Sequence, residues 1–163
     1  YYFYASGQWY GEFWNPKNFK GIDATLYYEQ MMAQDMDGIR WLQENVTEGQ
    51  PIVLEADGIS YSDNCRVSAV TGLPTVLGWN THEWLWKNDY EFVAQRKKDI
   101  YEIYTTTDKD RLLELLEQYD VSYIFIGTKE WEKYSEINME LLDEVGEPVF
   151  ELENTKSYIY KVK

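Results

Sequence analysis

Two spacings of apolar residues alternate along this chain. Intervals of three and four, typical of a helix that buries one face, begin at Asp35, which can cap the helix. They recur after Glu91 and after Thr107, where a capping box with Asp110 precedes RLLELLEQY. Between them lie short, continuously apolar runs that predict strands buried on both faces: residues 52–56, 75–78 and 122–127. The pattern therefore predicts alternating strands and helices.

This alternation predicts the fold class. Strands separated by helical segments favour an α/β fold, here a Rossmann-like layered arrangement with a mostly parallel sheet flanked by helices. Brief helices are expected from Arg66 to Gly72 and over residues 135–145. The final segment, EPVFELENTKSYIYKVK, predicts a C-terminal antiparallel hairpin with a turn at Asn154.

The first twenty residues differ from the rest in composition. The opening, YYFYASGQWYGEFW, has eight aromatic residues in fourteen positions, which is typical of a chain leaving a membrane. Packing on the domain's own surface is the alternative. No run of about 20 apolar residues follows, and the chain starts without a methionine. We predict an aromatic juxtamembrane-like lead-in over 1–20 and a single α/β soluble domain over 21–163.

The net charge and the residue composition exclude several classes of partner and cofactor. The formal charge of the 163 residues is -14, so a nucleic acid would be repelled. One cysteine and one histidine exclude an internal disulfide and leave too few ligands for an ordinary zinc site. The turn GISYSDN has one glycine where a dinucleotide fingerprint needs three. We therefore predict no nucleic acid partner, no metal and no cofactor.

Polar and aromatic residues directly follow the carboxyl ends of the predicted strands. In open α/β sheets, ligands bind at this edge. His82 with Glu83 provides a general base with its orienting acid, or two groups that hold a ligand, whereas a histidine satisfied inside a loop is the structural alternative. No catalytic residue is assigned. The predicted polar cluster, for ligand binding or for structure, is Glu55, Arg66, Trp79, His82, Glu83, Trp86 and Arg96.

The tryptophans of this block allow two interpretations. Trp79, Trp84 and Trp86 form a sugar-stacking platform, or they fill a core beneath a long loop.

The charged residues of the cluster allow two further interpretations. Glu55 and Glu83 suit a glycosidase carboxylate pair only at the required separation. In the structural alternative an arginine neutralises one of them, so we expect a side-chain nitrogen of Arg66 or Arg96 within about 4 Å of a Glu55 or Glu83 carboxylate.

Four blocks carry a resemblance to a known family. LEADGISY, CRVSAVTGLPTVLGWNTHEWLWK, RKKDIYEIYTTTD and LLEQYDVSYIFIGTKEWEKY resemble, in this order, the C-terminal soluble segment of the YYY membrane proteins (DUF2298). The similarity runs from about Gly21 to the terminal YIYKV. After the tryptophan and His-Glu block the family has Gln, Trp and Arg, where this chain has Leu85, Trp86 and Lys87. Lysine lacks the planar fork of arginine, which weakens bidentate recognition there.

The resemblance implies a biological context. Members of that family are polytopic and resemble membrane glycosyltransferases that use lipid-linked sugars. It implies an extracytoplasmic accessory domain that helps to form or cover the acceptor site and is not catalytic alone. The implied partners are the membrane-embedded remainder of the polypeptide and a saccharide or lipid-linked sugar. A carbohydrate-binding module is the first alternative, and a free-standing hydrolase is the second.

Overall fold

Helices and strands alternate through much of the chain, as their apolar spacing predicts. The computed structural model describes residues 25–152, 154 and 156–163. The lead-in predicted for 1–20 lies outside them. The helices are α1 (Thr25–Met31), α2 (Ala33–Asn45), α3 (Arg66–Thr71), α4 (Asn80–Lys87), α5 (Tyr90–Thr105), α6 (Lys109–Gln118), α7 (Thr128–Lys133) and α8 (Met139–Val145). The strands are β1 (Ile52–Leu54), β2 (Val121–Ile126), β3 (Gly146–Leu152) and β4 (Ser157–Val162).

The sheet has four strands in the order β1-β2-β4-β3. β1 and β2 are parallel, with Leu54 opposite Ile124, while β2 and β3 both pair antiparallel with β4. The predicted α/β class and C-terminal hairpin are confirmed. The prediction of a mostly parallel sheet needs correction, because this sheet is mostly antiparallel with one parallel pair.

The missing parallel strand explains the correction. Residues 75–78 were predicted as a strand, and Val76 and Leu77 are indeed buried, but the segment forms no regular ladder. Its two flanking residues make isolated contacts: Pro74 accepts from the Val53 amide of β1 at 2.9 Å, and Trp79 forms a single parallel bridge with Gly58, which lies after β1. A short apolar run reports burial, but by itself it does not establish strand pairing.

Apolar side chains pack on both faces of the sheet. Alternate residues of a strand point to opposite faces, so Leu54, Ile124 and Ile126 join one buried cluster and Val53 and Phe125 join the other. The first cluster includes residues of α5, α6 and α8, and the second includes residues of α2 and α3. Helices therefore cover both faces, which leaves the strand ends as the place for a site.

Helix starts show what local rules miss. Asp35 was predicted to cap α2, but it lies inside that helix and is fully buried, because it pairs with an arginine. The predicted cap Thr107 is replaced by Asp108, whose carboxylate accepts from the amides of Asp110 and Arg111. The structural alternative for His82 places it inside a loop, whereas His82 lies on α4.

No helix in the described residues combines the length and apolarity needed to cross a lipid bilayer.

Candidate functional site

Arg66 lies at the centre of a buried charged network. It is the first residue of α3 and is fully buried. Its Nε donates to Asp35 Oδ2 at 2.5 Å, and its Nη2 donates to Glu130 Oε2 at 2.7 Å. We call Arg66, Asp35 and Glu130 the arginine network. It joins α3 to α2 and α7, and its charge-assisted hydrogen bonds offset part of the cost of removing three charges from water.

Glu130 also binds the ends of the two parallel strands. Its Oε1 accepts from the Ala56 amide after β1 at 2.7 Å, and its Oε2 accepts from the Gly127 amide after β2 at 2.8 Å. Burial opposes ionisation, but the charge and hydrogen bonds of Arg66 and these two amides hold the pKa of Glu130 below its ordinary value. Glu130 is therefore an ionised clamp on the sheet edge.

Gly127 provides the space for this clamp. A Cβ at this position would lie 2.6 Å from Asp35 Oδ1, closer than two such atoms approach. The same Asp35 oxygen accepts from the Thr128 amide and the Thr128 hydroxyl, both at 3.0 Å. Glycine is thus required here by close packing.

Glu55 binds backbone amides at the start of α3 and does not pair with an arginine. Its two oxygens accept from the amides of Val67 and Ser68 at 2.9 and 2.8 Å. Burial raises the pKa of Glu55, although the charge of Arg66 and the amides act in the opposite direction. The ion pair predicted between Arg66 or Arg96 and Glu55 or Glu83 is wrong: Arg66 pairs with Asp35 and Glu130, since the Glu55 oxygens already bind backbone.

Asp57 links the arginine network's edge of the sheet to helix α4. Its Oδ2 accepts from the Asn80 side chain at 3.2 Å, and Asn80 begins α4. Its Oδ1 accepts from the Tyr134 hydroxyl at 3.2 Å and pairs with Lys133. Burial raises the pKa of Tyr134, and the Asp57 charge raises it further, so the hydroxyl remains a donor. These contacts fix the start of α4 relative to the end of β1.

Four rings form an aromatic surface beside this junction. We define the aromatic surface as Tyr61, Trp79, His82 and Trp86. His82 is half-buried and contacts the other three: its ring centroid lies 5.2 Å from Tyr61, 5.3 Å from Trp79 and 5.8 Å from Trp86. The Trp79 indole N–H donates to the Asn64 carbonyl at 3.0 Å, which ties the surface to the loop after β1.

The other predicted site residues lie apart from these rings. Glu83 faces Gly78, where an added Cβ would be 3.2 Å from Glu83 Oε1. Arg96 donates to the Val76 carbonyl, and its guanidinium lies 4.3 Å from the Phe92 ring centroid. The charged half of the predicted cluster therefore divides into separate structural contacts, whereas Trp79, His82 and Trp86 come together.

The aromatic surface differs from the three-tryptophan platform at two residues, Trp84 and Tyr61. Trp84 lies on α4 but makes an edge contact with Tyr90 and stays outside the aromatic surface. Tyr61, which follows β1 by seven residues, joins it. The predicted platform of three tryptophans is therefore corrected to two tryptophans with a tyrosine and the histidine.

Sequence reasoning left Asp35, Glu130 and Tyr61 out of the predicted site. Asp35 fits the pattern of a helix cap, and Tyr61 lies in the turn GISYSDN, whose single glycine argues only against a phosphate loop. Glu130 carried one usable signal, since a glutamate three residues after Gly127, at the end of a buried strand, is placed to accept from that glycine's amide.

One solved structure adds to this geometry. The chain is similar to the crystal structure of the C-terminal globular domain of an oligosaccharyltransferase (AfAglB-S2) from Archaeoglobus fulgidus, with a TM-score of 0.51 and 13% identity. The two folds are alike. The match covers 81% of this chain and 99% of that domain, and at this identity the likeness concerns the fold. No family model matches the chain, and no curated protein matches its sequence, so the YYY resemblance stays a prediction.

Proposed function

We propose that this chain is an extracytoplasmic accessory domain of a polytopic membrane protein related to glycosyltransferases that use lipid-linked sugars. In that role it helps to form or cover the acceptor site and does not catalyse the reaction alone. The observation that carries the proposal is the likeness in fold to the C-terminal globular domain of an oligosaccharyltransferase over 81% of the chain. The YYY resemblance supports the same context through independent signals, the sequence blocks themselves.

The chemistry of the strand ends supports a binding role. Glu55, Glu130 and Asp57 are each buried and each accept several hydrogen bonds from backbone amides or side chains of the fold. Their oxygens hold α3, α4, α7 and the two parallel strands in place. The aromatic surface lies beside these strand ends, and exposed aromatic rings suit contact with a ligand or a neighbouring domain.

Helix α1 supports attachment to a membrane part. It exposes three large apolar side chains, Leu26, Tyr27 and Met31, a few residues after the predicted aromatic lead-in. Exposed apolar residues grouped on one short helix are typical of a contact surface. We propose that this helix faces the membrane-embedded remainder of the polypeptide.

The test uses the full-length protein in its native membranes. A Lys97→Cys substitution on α5 places a thiol at an exposed position, while the native Cys65 is buried and provides the matched background. Intact cells are treated with a membrane-impermeant maleimide, and the membranes are then separated and washed with alkaline carbonate.

The expected result is a protein that stays in the washed membranes and gains labelling in intact cells when Lys97→Cys is present. Recovery in the soluble fraction, or labelling of Lys97→Cys only after lysis, would contradict the proposed location. To test the accessory role, membranes are prepared with residues 25–163 deleted. We expect them to lose transfer from a lipid-linked sugar, and unchanged transfer would overturn that role.

A further inference from the structure

Two rings of the aromatic surface are mostly exposed to solvent. Tyr61 is 84% exposed and Trp86 is 83% exposed, so most of each ring faces solvent. The Trp86 ring lies nearly parallel to His82, at 12°, and the Tyr61 ring is nearly perpendicular to it, at 86°. Tyr61 and Trp86 therefore stand almost at right angles to each other, with His82 between them.

Tyr61 holds this position at a cost in backbone energy. Its φ is 62°, in the left-handed region, which disfavours a bulky residue. Its exposed ring makes too little buried contact to offset that strain. Strained backbone of this kind, kept by the surrounding structure, is concentrated at ligand sites.

The loop that carries Tyr61 is firmly held. The Ser62 hydroxyl donates to the Ile59 carbonyl at 2.6 Å, and the Asn64 amide donates to the Asp57 carbonyl at 3.2 Å. Asn64 also packs on Gly58, where an added Cβ would lie 2.3 Å from its side chain. The backbone that carries Tyr61 is thus preorganised, which lowers the entropy cost of binding.

His82 brings polar capacity to the centre of the surface. It makes three ring contacts, and its nitrogens have no hydrogen-bond partner within the described part of the chain. A neutral imidazole has one donor and one acceptor nitrogen. The surface therefore combines two exposed aromatic faces with an unpaired donor and an unpaired acceptor between them.

We infer that the aromatic surface binds a neutral saccharide, with a pyranose ring stacked on Trp86, its edge against Tyr61 and its hydroxyl groups hydrogen-bonded to His82. A sugar ring matches both requirements, because its C–H face packs on an aromatic ring while its hydroxyls donate and accept. This inference deepens the proposed function, on which it rests, by naming the ligand class and the residues that bind it.

A lipid surface fits the same residues less well. Hydrocarbon would leave the His82 nitrogens unsatisfied, and rings set at right angles cannot both lie flat against a bilayer. The formal charge of -14 also repels anionic headgroups and favours an uncharged ligand.

The test measures binding to the purified 163-residue chain. The probes are methyl α-mannoside, methyl β-glucoside, N-acetylglucosamine and their disaccharides. Their binding is measured by saturation-transfer NMR and by titration of the amide chemical shifts. We expect at least one probe to bind with a Kd of about 1–10 mM and to shift the amides of Tyr61 and α4.

Variants assign the binding to the rings. Trp86→Ala should weaken binding at least roughly tenfold, and His82→Phe, which keeps a ring but removes the nitrogens, should weaken it by a similar factor. Tyr90→Ala is the matched control, because Tyr90 is a 68% exposed aromatic residue outside the surface. Amide spectra of all three variants verify that they fold.

Three outcomes would overturn the inference: no probe binds below about 50 mM, Tyr90→Ala weakens binding as much as Trp86→Ala, or neutral phosphatidylcholine vesicles bind in a Trp86-dependent manner while the sugars do not. The membrane labelling experiment is independent of these results. A failure here with correct labelling therefore rejects the saccharide site alone, and a failure of the labelling rejects the proposed function.

Discussion

The arginine network and the aromatic surface lie at the same end of the sheet, but they use their side chains in opposite ways. In the network, Asp35 and Glu130 are buried and each makes an ion pair with the buried Arg66. In the aromatic surface, Tyr61 is strained and exposed, and the His82 nitrogens remain unpaired among the described residues. One region satisfies its polar groups within the fold, and the other leaves them available.

This difference separates stability from binding. A buried charge without its partner is costly, so the network should carry a large part of the stability of the sheet edge. Exposed rings contribute little to folding, so the aromatic surface should tolerate substitution. Asp57 connects the two, since it fixes the start of α4 through Asn80.

Arg66→Met should have the largest effect on stability. The substitution leaves the Asp35 and Glu130 carboxylates buried without a cation, which costs about 3–5 kcal/mol of unfolding free energy. Urea unfolding measures the loss. Arg40→Met is the matched control, because Arg40 makes exposed ion pairs with Glu29 and Asp37 that are worth under about 1 kcal/mol. Equal losses in the two variants would contradict the role assigned to the network.

The next effect is on the pH dependence of stability, where Glu130 and Glu55 act in opposite directions. The folded-state pKa of Glu130 is lowered, so the stability it contributes is present above its ordinary pKa of 4.5 and is lost as the pH falls through the folded-state value. The folded-state pKa of Glu55 is raised, so its contribution is present below 4.5 and is lost as the pH rises through the folded-state value.

Glutamine variants separate these two contributions in urea unfolding between pH 3 and pH 8. The deficit of Glu130→Gln relative to the original chain should shrink as the pH falls below 4.5, and the deficit of Glu55→Gln should shrink as the pH rises above 4.5. Each variant serves as the control for the other. Parallel pH profiles for all three proteins would show that neither carboxylate titrates differently in the folded state.

The smallest effect has the opposite sign. Tyr61→Gly should raise the unfolding free energy by up to about 1 kcal/mol, because glycine adopts φ near 62° without strain, although it is more flexible when unfolded. Asn88→Gly is the control at another left-handed residue, and asparagine tolerates that conformation, so little change is expected. A loss of stability in Tyr61→Gly would mean that the ring supports the fold, and that result would remove the strain argument for a ligand site.

The periodic parts of the fold were predictable from sequence. Spacings of three and four identify the buried residues Val93, Ile100 and Ile103 of α5, and the apolar run of β2 identifies a central strand. Residues 75–78 show the limit of the same reasoning. Their apolar run correctly indicates burial, but pairing in a ladder depends on the segment that lies beside them. In the structure the Val76 carbonyl accepts a hydrogen bond from the Arg96 side chain and not from a strand.

Three of the four residues of the aromatic surface were also predictable. Trp79, His82 and Trp86 lie within eight residues of each other, and helical spacing brings His82 and Trp86, four apart, to the same face of α4. Tyr61 could not be assigned to them, because the contact joins residues separated by a full helix and an irregular segment.

The amino-acid sequence by itself determined the α/β class, the terminal hairpin, the buried apolar positions and the exclusion of an internal disulfide, because these follow from local periodicity and from composition. The tertiary structure alone decided which carboxylate pairs with Arg66, that Glu55 binds backbone amides, and that Tyr61 completes the aromatic surface. The physical reason is that the partner of a buried charge is fixed by which helices meet at the sheet edge. That meeting brings Arg66 to Glu130, 64 positions away, a contact that no local pattern records.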